Sequence, residues 1–283
     1  DGRVLEMLSE HSLQGLMQGY VLTGRHAVFP SYEAFMQIVS SMTDQYAKFL
    51  HIAREVKWRG DIPSLNYILT SSGWRQEHNG FSHQNPGFID GVLQRQGNFS
   101  NVYFPADANT ALVVMRHMLS SKKEINVMVA GKRPLPCWRT VRQAEEDLRE
   151  GVNIWDFASE DDPHMVFSAV GDYLTEETLA ALNVIHSEIP KMRLRFVNIT
   201  SLSALGMGDA DNQVLRHDID YYFTIDKPVL VNFHGYPQTI KQILFDYGLS
   251  STRVKVHGYQ ESGSTTTPFD MMVRNKVDRF SLA

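Results

Sequence analysis

Strand-like and helix-like segments alternate along almost the whole chain, and this alternation restricts the fold more than any other feature. The apolar, strand-like segments are residues 4–8, 65–70, 102–104, 125–130, 165–170, 194–199, 229–233 and 254–257. Most are separated by stretches in which apolar side chains recur every three or four residues, which is the helical period. Such alternation predicts an α/β fold with mainly parallel sheets flanked by helices.

The clearest helical pattern begins at Tyr32, where apolar residues form one stripe as far as Leu50. A shorter helix is predicted over residues 10–22, with Gly24 closing its carboxyl end. Thr140 and Gln143 have the spacing of a capping box, which predicts the start of a charged helix.

The length of 283 residues favours two domains over one. The acidic stretch 153–162 has no clear period, so we expect a linker there. This divides the chain into a first domain at 1–152 and a C-terminal α/β domain at 163–283.

Charge and cysteine usage narrow the class of partner. The chain has 27 Lys and Arg against 32 Asp and Glu, and it has no basic stripe, which argues against a nucleic-acid partner. A phosphorylated small molecule needs only a few local cations.

A single cysteine, Cys137, excludes an intrachain disulfide and fits a reducing cytoplasmic compartment. No apolar run has the length of a membrane span, so no membrane partner is expected. The chain does not begin with Met, and we expect it to be part of a longer protein.

A polar, histidine-rich stretch at residues 74–88 follows the strand-like segment 65–70. Its Gly and Pro residues predict a loop, and loops after buried strands carry the chemistry of many α/β proteins. General acid–base work by His78 and His83 is the favoured interpretation, because imidazole exchanges protons near neutral pH. The alternatives are a metal site, for which no ligand set is complete, and hydrogen bonds that only hold the loop in place.

Glu10 follows the predicted strand 4–8, and a carboxylate at the end of a buried strand would be partly desolvated. The alternative is an acidic residue in the first turn of a helix, where the helix dipole favours it. Cationic side chains occur at Arg25, Arg54 and Lys132, near the ends of predicted elements. They are either phosphate ligands or solvated surface charges.

Six motifs taken together resemble the thiamine-diphosphate-dependent phosphoketolases. They occupy residues 7–11, 73–87, 103–109, 131–134, 233–237 and 265–270, and the long motif at 73–87 is the most specific of them. The resemblance covers essentially the whole chain. It implies part of a pyrimidine-binding domain followed by a transketolase C-terminal-like domain. It also implies that Mg²⁺ is bound mainly by a domain that this chain lacks, and that the full-length protein is a homodimer.

The resemblance implies roles for the cofactor-facing residues. Glu10 matches the glutamate that hydrogen-bonds the aminopyrimidine of thiamine diphosphate, and Tyr32 matches the aromatic residue that stacks on that ring. His83, helped by Gln76 and His78, matches residues beside the reacting carbon atoms, where an acid must act on a departing hydroxyl.

The resemblance also implies a substrate and its ligands. Arg54, Asn79 and Lys132 match groups that hold a sugar phosphate. The implied reaction cleaves xylulose 5-phosphate or fructose 6-phosphate with inorganic phosphate to acetyl phosphate and an aldose phosphate. Two alternatives stay open: transketolase-like transfer of a two-carbon unit, and a non-catalytic dimerisation or regulatory fragment. The isolated chain is expected to be inactive.

Overall fold

The computed structural model describes residues 3–70, 73–75, 80–94, 99–205, 213–215, 217–261, 263 and 265–283. It confirms the predicted α/β class, with two sheets flanked by helices. None of the helices in these ranges is long and apolar enough to cross a lipid bilayer.

The first sheet is fully parallel. Its strands are β1 (Val28–Tyr32), β2 (Leu65–Thr70), β3 (Ser100–Tyr103) and β4 (Ile125–Val129). They lie in the order β1-β2-β4-β3. The accompanying helices are α1 (Glu10–Leu22), α2 (Ser40–Glu55), α3 (Gly87–Leu93), α4 (Ala108–Ser120) and α5 (Val141–Glu150).

The second sheet is parallel except at one edge. Its strands are β5 (Val152–Ile154), β6 (Met165–Val170), β7 (Leu194–Ile199), β8 (Val229–Phe233) and β9 (Val254–His257). They lie in the order β5-β7-β6-β8-β9, and β5 is antiparallel to β7. The helices of this part are α6 (Asp172–Glu188), α7 (Ile219–Phe223), α8 (Pro237–Asp246), α9 (Pro268–Asn275) and α10 (Arg279–Leu282).

The amino-terminal segment differs from two sequence predictions. Residues 4–8 form no strand and are exposed, because no neighbouring strand in the described ranges pairs with them. The predicted helix at Tyr32 begins later. Tyr32 is the last residue of β1, a 3₁₀ helix covers Glu33–Val39, and α2 starts at Ser40. Pro30 is tolerated within β1 because this strand lies at the edge of the sheet, where one side of the backbone has no strand partner.

The chain does not connect its two sheets through the predicted linker at 153–162. Asn153 and Ile154 belong to β5, which pairs with β7, so this segment is part of the second sheet. The helix before it, α5, packs against α4 of the first sheet. The chain passes from one sheet to the other at Gly151, which ends α5 in the left-handed conformation with φ 75°.

The carboxyl ends of the two parallel sheets meet. Phe104, just after β3, donates its backbone N–H to Thr200 O just after β7 (2.7 Å). The segment after β7 then runs antiparallel along β3, where Ser203 donates its hydroxyl to Ser100 O at the amino end of this strand (3.2 Å). The main apolar core contains buried residues of both sheets. Loops that follow strands of either sheet are therefore brought to one shared region.

Candidate active site

The carboxyl edge of the first sheet brings together two residues with different predicted roles. Tyr32 ends β1 and is half-buried, with its ring 5.7 Å from the ring of Phe35 between centroids. Lys132 lies just after β4, and its Nζ is 4.7 Å from the centroid of the Tyr32 ring. The predicted cofactor-stacking ring and a predicted phosphate-binding cation are therefore neighbours.

Glu10 lies toward the same edge. It is the half-buried first residue of α1, and Ser9 caps this helix by accepting the backbone N–H of Ser12 (3.3 Å). The carboxyl end of α1 leads through residues 23–27 to the amino end of β1, so the helix runs opposite to the strand. Gln14 donates its amide to Tyr67 Oη in β2 (2.7 Å), which holds α1 against the sheet. Glu10 thus has the alternative placement considered from the sequence, in the first turn of a helix.

The central part of the histidine-rich loop falls outside the described residues. This applies to Gln76, His78 and Asn79, and also to the side chain of His83, whose backbone lies in a 3₁₀ helix at Gly80–His83. Their predicted roles stay predictions, as does the metal alternative for this loop.

The two flanks of that loop are fixed to the second part of the chain. Trp74, which is buried, donates its indole N–H to His234 O (3.2 Å). The rings of Trp74 and Phe81 lie 6.0 Å and 6.1 Å from the ring of Tyr259 between centroids. The described residues on either side of 76–79 therefore both pack against one buried aromatic residue, Tyr259, which follows β9.

Arg54 is not brought to this region. It lies in the last turn of α2 and donates to Lys123 O (3.1 Å), just before β4. Its guanidinium carbon is 5.9 Å from the centroid of the Phe99 ring, just before β3. These contacts are at the amino ends of the strands, opposite the edge that carries Lys132. The phosphate-binding role predicted for Arg54 has no support from this geometry, because α2 runs antiparallel to the strands and carries Arg54 away.

A buried cluster of ionisable groups joins the two sheets beside Tyr32. His234 Nε2 lies 2.8 Å and 2.9 Å from the two carboxylate oxygens of Glu33, and the side chains are 1% and 4% exposed. Burial opposes a charge on His234, but the carboxylates of Glu33 and Asp172 outweigh it, so the pKa of His234 is raised from its ordinary value. The arrangement therefore favours an imidazolium between two carboxylates.

Asp172 is the second carboxylate of this cluster and contacts the segment that carries Lys132. Its Oδ2 accepts the backbone N–H of Gly131 (2.6 Å), and its Oδ1 accepts that of Tyr173 (2.7 Å). Burial raises the pKa of the Asp172 carboxyl, although these backbone donors oppose the shift. A Cβ on Gly131 would lie 2.6 Å from Tyr173 Oη, so the close approach of the two segments requires glycine.

The other end of the Lys132 segment is also held by a buried carboxylate. Asp107 caps α4 through Thr110 N (2.8 Å) and accepts the backbone N–H groups of Trp138 and Arg139 (2.7 Å each). The segment from Gly131 to Arg139 is therefore fixed at both ends. This restricts where the Lys132 ammonium can lie.

Sequence reasoning assigned no role to Glu33, Asp172 or His234. Two signals were present in the sequence. His234 lies directly after a largely apolar strand, within a motif of the resemblance, and Asp172 follows a glycine at the junction of a strand and a helix. No local pattern could pair Glu33 with a histidine 201 residues away.

The fold defines the broader class to which the chain belongs. A solved chain titled "Split gene transketolase, inactive beta4 tetramer" is similar with a TM-score of 0.68 and 14% identity, covering 97% of this chain and 80% of that one. The transketolase from Leishmania mexicana is similar with a TM-score of 0.70 and 12% identity, covering 96% of this chain and 35% of that one. The chain thus has a transketolase-like fold.

The family is more specific. Residues 1–121 match the family described as D-xylulose 5-phosphate/D-fructose 6-phosphate phosphoketolase, and residues 132–283 match the XFP C-terminal domain. Two relatives from Rhizobium meliloti (strain 1021), named probable phosphoketolase 1 and probable phosphoketolase 2, are 47% and 49% identical over all of this chain. The chain spans about a third of their length, 36% and 37%. The chain belongs to the phosphoketolase family.

Proposed function

We propose that this chain supplies part of a phosphoketolase active site within a longer protein. The reaction is cleavage of xylulose 5-phosphate, fructose 6-phosphate or both, with inorganic phosphate, to acetyl phosphate and an aldose phosphate. The observation that carries the proposal is the placement of Tyr32 beside Lys132 at the carboxyl edge of a parallel sheet. Ligands of open α/β sheets bind at this edge. Family membership supports the same reaction.

The described residues fit thiamine diphosphate as the cofactor. The half-buried ring of Tyr32 offers a stacking surface, and Glu10 places a half-buried carboxylate toward the same edge. When bound, thiamine diphosphate supplies a thiazolium that accepts the electron pair of a breaking carbon–carbon bond. Mg²⁺ and the diphosphate group would be held mainly by a part of the protein outside this chain.

The chain's own residues have distinct tasks in this proposal. Glu10 shares a proton with the ring nitrogen of the aminopyrimidine. Lys132 binds the phosphate of the sugar, since an ammonium is a strong partner for a phosphate dianion. Asn79 assists it. His83, with Gln76 and His78, transfers a proton to the hydroxyl that departs. The roles of these four loop residues rest on the family motif alone.

The test is a product assay on a full-length protein that contains this chain. Xylulose 5-phosphate, thiamine diphosphate and Mg²⁺ are supplied with inorganic phosphate, or with an aldose acceptor and no phosphate. We expect acetyl phosphate in the first reaction and little two-carbon transfer in the second. Transfer to the aldose without acetyl phosphate would contradict the proposal and indicate transketolase-like chemistry.

A binding experiment tests the division of the site between this chain and the rest of the protein. Thiamine diphosphate with Mg²⁺ is titrated into the isolated chain by calorimetry. We expect no tight binding and no acetyl phosphate from the isolated chain. Tight, Mg²⁺-dependent binding would show that the chain holds the diphosphate by itself, against the proposal.

A further inference from the structure

Three segments of the first sheet carry the residues of the proposed site, and the second sheet contacts each of them. They are the end of β1 with the residue after it (32–33), the loop flanks at 73–75 and 80–83, and the turn at 131–132; together they are called the site segments. The groups that contact them follow β6, β8 and β9, at the carboxyl edge of the second sheet.

His234 contacts two of the site segments at once. Its imidazole binds the carboxylate of Glu33, the residue next to Tyr32, and its backbone oxygen accepts the indole N–H of Trp74. The centroids of the His234 and Phe104 rings are also 5.6 Å apart, so Phe104 packs against the imidazole as well. A displacement of His234 would therefore move the Tyr32 end of β1 and the histidine-rich loop together.

Asp172 contacts the third site segment. Its carboxylate accepts the N–H of Gly131, the residue next to Lys132, and it lies in the first turn of the 17-residue helix α6. The helix dipole favours a carboxylate at this position and so opposes the rise in the pKa of Asp172 that burial causes. The direction of the backbone at Lys132 is therefore set from the second sheet.

The chemistry of these contacts indicates that His234 and Asp172 do more than hold the two sheets together. Removing charged groups from water is costly, and apolar residues of similar volume often hold buried surfaces together at least as well. Elsewhere the same boundary has neutral contacts, such as Phe104 N–H to Thr200 O, and single ionisable groups, such as Asp90, whose carboxylate accepts the hydroxyl of Thr239. The buried Glu33–His234 pair and the buried Asp172 carboxylate lie where the boundary touches the site segments. They offer directional bonds, which apolar packing lacks.

We propose that His234 and Asp172 are positioning residues of the phosphoketolase site. His234 fixes the Tyr32 end of β1 and the loop flank at Trp74, and Asp172 fixes the backbone next to Lys132. This inference rests on the proposed function for the identity of the ligands, but the positioning itself is measurable without them.

The first experiment measures backbone amide exchange by NMR in this chain. Asp172→Ala removes the acceptor of Gly131 N–H, and Asp172→Asn retains an oxygen there. We expect Gly131 exchange to accelerate on the order of tenfold or more in the Ala variant, since a hydrogen bond to a charged group is lost, and to recover in the Asn variant. Glu33→Gln should likewise accelerate exchange at 32–35.

The matched control is Glu177→Gln. Glu177 is as deeply buried as Glu33, but its carboxylate binds the guanidinium of Arg279 (2.7 Å). We expect this variant to lower stability without changing exchange at the site segments. Unchanged Gly131 exchange in Asp172→Ala, or an equal rise in the control, would overturn the inference.

The second experiment applies the same variants to a full-length protein that contains this chain. We expect Asp172→Ala to raise KM for the sugar phosphate about tenfold with a smaller change in kcat, and Asp172→Asn to restore it in part. Glu33→Gln and His234→Gln should raise the thiamine diphosphate concentration needed for half-maximal activity. Equal loss of kcat in every variant, including the control, would show a merely structural role.

The two experiments distinguish a failure of the proposed function from a failure of the positioning role. If the starting protein forms no acetyl phosphate, the proposed function is wrong, while the exchange data still decide whether the second sheet positions the site segments. If acetyl phosphate forms but neither KM nor cofactor saturation responds, the function stands and the positioning role is wrong.

Discussion

Breaking the Glu33–His234 pair should destabilise the chain far more than breaking an exposed pair of the same residue types. Both side chains are almost fully buried, and the imidazole nitrogen binds both carboxylate oxygens within 2.9 Å. Removing one partner of a buried pair leaves the other charged and without compensation, at about 3–5 kcal/mol. We therefore expect Glu33→Ala to lower the free energy of unfolding by about 3–5 kcal/mol. This is a large share of the roughly 5–15 kcal/mol that stabilises most proteins.

The chain contains a suitable control. His51 and Glu55 form a pair at 3.7 Å on the surface of α2, with side chains 66% and 72% exposed. Such a pair contributes about 0.3–0.5 kcal/mol, so Glu55→Ala should have little effect. Unfolding in urea, followed by tryptophan fluorescence, measures both variants.

A double-mutant cycle separates the interaction energy of the Glu33–His234 pair from the other effects of each substitution. Glu33→Ala combined with His234→Ala should cost less than the sum of the single changes, with a coupling of roughly 0.5–3 kcal/mol. Strictly additive losses would show that the two side chains do not interact energetically, since a stabilising ion pair gives a coupling energy. A loss below about 1 kcal/mol for Glu33→Ala would likewise contradict the expected cost of breaking a buried pair.

Three further outcomes follow from the same region. First, the pKa of His234 is raised in the folded state, so its stabilising contribution is complete below the ordinary value of 6.5 and is lost as the pH rises through the folded-state pKa. The stability gap between the starting protein and His234→Gln should narrow as the pH is raised above 6.5, as urea midpoints would show; a gap that widens would have the wrong sign. Second, Gly131→Ala places a Cβ 2.6 Å from Tyr173 Oη and 2.8 Å from Asp172 Oδ2. It should cost about 1–3 kcal/mol of stability and raise KM for the sugar phosphate, whereas Gly19→Ala, where a Cβ meets nothing within 4 Å, should leave KM unchanged. Third, Trp74→Ala should cost about 3–5 kcal/mol, because a fully buried indole and its bond to His234 O are lost together. Thermal unfolding measures this loss, and an effect within error would show that the loop flank is not anchored.

Most of the fold could be predicted from sequence because the buried strands have a simple composition. The strands β2, β6, β7, β8 and β9 have the predicted bounds. The first four are short, largely apolar segments between turn or helix signals, and β9 alternates apolar and polar residues. The capping box at Thr140 is also confirmed, with both reciprocal hydrogen bonds present. These features depend on neighbouring residues, and local sequence therefore suffices to predict them.

The errors occurred where pairing between distant segments decides the structure. β1 was missed because Pro30 argues against a strand and the residues after it have a helical period. Ile154 lies in a segment without a period, yet it forms a strand because β7 offers it an open edge. Residues 4–8 have the composition of a strand but no partner in the described part of the chain.

The candidate site was predictable only in part for the same reason. The family resemblance pointed to Tyr32 and Lys132, and their side chains are neighbours in the structure. Arg54 was grouped with Lys132 by charge and by the family resemblance, and the direction of α2 separates them. The Glu33–His234–Asp172 cluster forms only when both sheets are folded against each other.

The most direct test of the central claim is acetyl phosphate formation with and without the Glu10 carboxylate. A full-length protein that contains this chain is assayed with xylulose 5-phosphate, inorganic phosphate, thiamine diphosphate and Mg²⁺, in parallel with its Glu10→Ala variant. We expect phosphate-dependent acetyl phosphate from the first protein and almost none from the second, at equal stability. Acetyl phosphate formed equally by both would show that the edge at α1 and β1 does not activate the cofactor, and would contradict the role proposed for Glu10.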